Sequence, residues 1–148
     1  MKWKITIDSM LIIGKYFKEN EDYINVMKVC KKYLDLVKMY HFNPINECEL
    51  FENMESQYLY SEGDEKKEEM YQYVYWYEVD YEMLKNKSEN KIFKRVVLNK
   101  NSLLIENGYC IVPEGVTSIG DCCFSHCSSL TSVQLPSSTN NSGSKDYF

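Results

Sequence analysis

"GVTSIGDCCFSHCSSLTSVQLPSS", residues 115–138, is the stretch on which the fold turns. Just upstream, Val112-Pro113 recurs as Leu135-Pro136 after 23 residues, and a fixed offset of this size marks a chain wound into stacked coils. Leu130-x-x-Val133-x-Leu135 predicts a short strand, in which successive side chains alternate between faces. Val133 and Leu135 then point inward, leaving Ser132 and Gln134 as the outward, protein-binding candidates. Ile119, Phe124, Cys127 and Leu130 supply the other apolar rungs of the repeat core. Gly120-Asp121 suits a turn leading into a short helical segment.

The anchors Ile119, Gly120, Phe124, Cys127, Leu130, Val133, Leu135 and Pro136 resemble the BspA-like leucine-rich repeat, in which I-G-x-x-x-F-x-x-C-x-x-L-x-x-V/I-x-L-P recurs every 23 residues. The resemblance spans about residues 111–138. It implies a solenoid used for protein recognition, without cofactor or catalysis, and cell-surface placement in some members. One such repeat cannot bury both stacking faces, since roughly three are usually needed. Residues 70–110 are therefore expected to cap it, and its open end could support self-association. A copy truncated from a longer repeat protein, with little function of its own, is a further reading.

Towards the N-terminus the pattern changes to helical spacing. Residues 8–18 predict a short helix capped by Asp8 or Ser9. Over 22–40, Tyr23, Val26, Met27, Cys30, Tyr33, Leu34 and Val37 form a three-and-four stripe, ended by Asn43-Pro44. Residues 45–56 predict a further helical turn or two. Asp22, Tyr23, Val26, Val29, Cys30, Lys31, Tyr33 and Leu36 fall on a register that resembles an F-box, over residues 16–36. That resemblance implies an adaptor-binding helix and, joined to a repeat, a substrate receptor of a ubiquitin ligase. Residues 61–69, "SEGDEKKEE", predict a solvated loop. Tyr71, Tyr73, Tyr75 and Tyr77 then alternate with Gln72, Val74, Trp76 and Glu78, the period of a strand. Residues 92–98 predict a second strand that pairs with it.

The fold class expected is α+β: a helical module at 1–60, a β-rich connecting or capping region at 61–110, one leucine-rich repeat of a truncated solenoid at 111–138, and a disordered polar tail at 139–148. The chain has 148 residues and a net charge of −5. Thirteen acids against four lysines in residues 43–90 disfavour nucleic acid as a partner. No apolar run reaches the roughly 18 residues of a membrane helix, and no secretory leader is read at the start. A cytoplasmic location and six free thiols follow as expectations. Cys110, Cys122, Cys123, His126 and Cys127 lack paired C-x-x-C units, so no metal site is assigned. No nucleophile–base pair or glycine-rich phosphate loop is present, so no catalytic or cofactor-binding residue is named. A non-catalytic protein-interaction module, partner unknown, is the function expected.

Overall fold

A computed structural model describes residues 5–136. The tail at 139–148 lies outside the described residues. The chain divides into two compact units, one to Val74 and one from Tyr75.

In the first unit, helix α1 (Ile7–Gly14) is capped by Thr6 and not by Asp8 or Ser9, the Thr6 hydroxyl accepting from the Ser9 N–H at 3.1 Å. Helix α2 (Asn20–Val29) starts where the Asp22 carboxylate accepts from the Lys18 N–H at 3.0 Å. The long helix expected over 22–40 does not form. The chain turns extended at Cys30 (φ −151°, ψ 131°) and continues as two short 3-10 turns, Lys31–Tyr33 and Val37–Met39. Tertiary packing outweighs helix propensity here: the break carries Tyr33, Leu36, Val37 and Tyr40 into one core with Met10, Tyr23, Ile45 and Phe51. It also leaves Val29 81 % exposed. Val29-Cys30-Lys31, the centre of the F-box-like register, therefore straddles a helix end instead of lying along one helical face.

Residues 45–56 hold no helix either. Buried Asn43 binds the local backbone instead, its amide donating to the Ile45 and Tyr58 carbonyls and its Oδ1 accepting from the Tyr58 N–H at 2.6 Å. These bonds offer the chain an alternative to helical pairing. They lead into strand β1 (Ser56–Leu59), for which the sequence carries no strand-like pattern. Strand β2 (Gln72–Asp80) crosses into the second unit.

There, β2 is followed by helix α3 (Tyr81–Lys85), strand β3 (Lys91–Leu98), strands β4 (Ile105–Glu106) and β5 (Tyr109–Ile111), then β6 (Ser118–Ile119) and β7 (Ser132–Gln134). The pairing expected between the tyrosine strand and residues 92–98 is present, with β3 between β2 and β6. Tyr75 meets Phe93 at 4.7 Å between ring centroids, Lys94 lies over Trp76, and the Asn99 amide donates to Asp80 at 2.5 Å. Partners rise together along the two strands, as they do between parallel neighbours.

β3 and β6 are parallel, with Leu98 beside Ile119, and β5 and β7 are parallel, with Cys110 beside Val133. Residues 97–112 thus run beside 118–135 in parallel register at both pairs of strands, with two residues fewer between the strands. Parallel stacking begins upstream of residue 111, where the repeat motif is not readable. The short helix expected after Gly120-Asp121 is replaced by consecutive turns, because Cys122 (φ 54°) and His126 (φ 59°) are left-handed and interrupt any helical run.

Candidate protein-interaction face

The three-stranded sheet β4-β5-β7 displays a small ordered surface. Its foundation is the dipeptide Asn107-Gly108, with φ of 52° and 82°. Positive φ at both central residues is what a two-residue hairpin turn needs to match strand twist. β4 and β5 therefore pair antiparallel, Ile105 beside Cys110 and Glu106 beside Tyr109. The Gly108 carbonyl is then taken up by the following coil, accepting from the Thr131 N–H at 2.8 Å and the Thr131 hydroxyl at 2.9 Å.

This register sets a grid. Tyr109 lies beside Ser132 and Ile111 beside Gln134, and Leu104, the residue before β4, lines the same hollow as Tyr109 and Ile111. One row holds Glu106, Tyr109 and Ser132, and the next holds Ile111 and Gln134, with Leu104 at the entry to β4. Leu104 is 75 % exposed, Tyr109 62 % and Ile111 66 %. With Glu106 and Asn107 these residues line a shallow hollow. Ser132 and Gln134, the outward pair expected from sequence, are both exposed and stand beside Tyr109 and Ile111 on β7.

The sequence reading missed Leu104, Glu106, Tyr109 and Ile111. The signal was an Asn-Gly pair between apolar runs, "LLIENGYCIV", a strong short-range hairpin signature.

Behind the face, alternation turns Cys110 and Val112 inward, and both are buried. Ile119 and Phe124 are buried as well, whereas Cys127, Leu130 and Val133 are half-buried and Leu135 is 40 % exposed. Burial pushes the Cys123 thiol up to about 11, with Cys110 and Cys127 nearby adding to the effect, and burial raises Cys110 too. Such thiols stay protonated at neutral pH and are poor nucleophiles. No group of three or more metal-ligating side chains is arranged to hold an ion among the described residues. No helix is long and apolar enough to cross a membrane among them.

Residues 89–147 match the family model described as BspA type leucine rich repeat region (6 copies). The match begins close to β3, so it takes in the upstream coil together with the repeat recognised from its anchors. No curated protein and no solved structure matches this chain.

Proposed function

We propose, from the premise that residues 89–147 are a BspA-type leucine-rich repeat region, that this chain is a non-catalytic protein-interaction module whose partner is read on the β4-β5-β7 face. The observation that carries this reading is the exposure of Tyr109 and Ile111 on one face of β5, with exposed Leu104 lining the same hollow. Isolated exposed apolar residues are ordinary, but a contiguous group rimmed by polar side chains marks an interaction surface. Ser132 and Gln134 supply that rim and offer hydrogen-bonding groups to a partner. A reducing, cytosolic setting, in which the six cysteines stay as thiols, belongs to the same proposal.

Site-specific photo-crosslinking tests the reading. A photoreactive residue at Ile111 or Ser132 is expected to capture a discrete protein partner in extracts of the source cell, whereas one at exposed Lys94 on the other sheet is not. Equal capture from all three positions, or capture from Lys94 alone, would remove the assignment of this face.

A further inference from the structure

The grid carries more than a general stickiness, and the binding specificity it encodes depends on this face being the binding surface. Glu106 is its one charged member, and its place beside Tyr109 is fixed by the hairpin register. Among the described residues no ion pair is formed to it. A carboxylate next to an aromatic ring is a matched receptor for a cation, which gains from the charge and from the ring face together. Ile111 of the next row and Leu104 of the same hollow are apolar. Rows of one strand face are two residues apart, roughly 7 Å, the spacing between side chains i and i+2 of any extended segment laid along them.

Size and charge also exclude the second copy as occupant. Leu104, Tyr109 and Ile111 present on the order of 400 Å² of exposed surface, about half of the ~800 Å² per partner that a stable interface uses. A two-fold pairing of identical faces would also set Glu106 either against its own symmetry mate or over apolar Leu104 and Ile111, repelled in the first case and left desolvated and unpaired in the second.

We propose that this face binds a short extended segment of a partner protein that carries an apolar side chain and a lysine or arginine two positions apart, the apolar group on Leu104 and Ile111 and the cation on Glu106 and Tyr109. Selection of a phage-displayed random peptide library on the full chain tests this. Enriched peptides are expected to share the apolar-x-basic pattern in either direction. Resynthesised, they should bind Ile111→Asp and Leu104→Asp about tenfold or more weakly than the parent. Selection on Glu106→Lys should replace the basic residue by an acidic one, and Glu106→Gln should weaken binding of the original peptides without that reversal. These side chains are exposed, so melting temperatures should stay close to the parent's and separate lost binding from lost folding.

Peptides that keep the basic residue on Glu106→Lys, that bind Ile111→Asp as tightly as the parent, or that fail to enrich at all overturn the proposal. So does a dimer in light scattering that Ile111→Asp abolishes, since the occupant would then be a second copy. If selection fails while Ile111 still crosslinks a discrete protein, the face binds a folded surface, and only the segment proposal falls. If crosslinking fails as well, the assignment of the face falls with it.

Discussion

Gly108 shows how one residue holds the candidate face in place. Its φ of 82° is disfavoured for any residue with a Cβ, and an added Cβ would sit 2.7 Å from the Thr131 hydroxyl oxygen and 3.0 Å from the Ser129 carbonyl oxygen. Gly108→Ala is therefore expected to cost about 1–3 kcal/mol, read as a lowered urea midpoint. It should also speed amide exchange at Thr131 and Ser132, both of which donate to the Gly108 carbonyl. Unchanged exchange at those two amides would show that the turn does not clamp the following coil. A second residue-scale consequence concerns Tyr40, whose hydroxyl burial pushes up to about 12, against about 10 for an exposed phenol. The folded state holds this proton more tightly than the unfolded chain does. The stabilisation is thus complete below pH ~10 and is lost as pH rises through the folded value. Phenolate absorbance and near-ultraviolet circular dichroism, followed together, should show the aromatic signal of the first unit collapsing above pH ~10 as its buried phenols ionise. Smooth ionisation near pH 10 with the signal intact would contradict a sealed ring cluster.

At the scale of elements, α1 is pinned by phenols. Tyr40 donates to the Leu11 carbonyl at 2.7 Å and Tyr23 to the Gly14 carbonyl at 2.5 Å, supplying donors at the helix end where carbonyls lose their intrahelical partners. Gly14 leaves the space for this, because a Cβ there would collide with the Tyr40 hydroxyl. Tyr40→Phe should destabilise the chain by about 1–2 kcal/mol in thermal melts, and Tyr16→Phe, with an exposed ring, should leave it unchanged. Equal effects would dissolve the distinction between clamp and surface. These bonds also explain what the sequence could reveal. The apolar stripe of 22–40 marked Tyr23, Tyr33 and Val37, which are buried, but also Leu34, which is 56 % exposed because the helical spacing ends with α2. It could not reveal that the helix stops at Val29, because the stop is set by contacts with residues before 15 and after 44. Period two located β2 for the opposite reason, since alternation is local, and β3 was legible from its run of β-forming residues. β1 escaped because its neighbour Asn43, not a strand-like pattern, draws the chain out of helix.

For the molecule as a whole, the repeat motif was legible as chemistry but not as extent. Anchors such as Phe124 and Cys127 are readable because a coil needs them at fixed offsets; the preceding coil, two residues shorter and without those anchors, is recognisable only from the parallel register of Leu98 with Ile119 and Cys110 with Val133. The same register explains a gradient in burial. Cys110 and Val112 are 1 % and 2 % exposed beneath the β7 coil, whereas Leu135, the counterpart of Val112, is 40 % exposed. In a nearest-neighbour stack each coil is stabilised by the one that covers it, so the β7 coil is the under-stabilised member among those described. Inserting a second copy of residues 114–136 directly after Pro136 should cover Val133 and Leu135 and stabilise the second unit by about 2 kcal/mol. The insertion should raise its urea midpoint and slow exchange at the β7 amides towards the rate of those in β5. If the midpoint does not rise, Leu135 is exposed for a reason other than a missing neighbour, and the offset of 23 residues does not describe how this chain stacks.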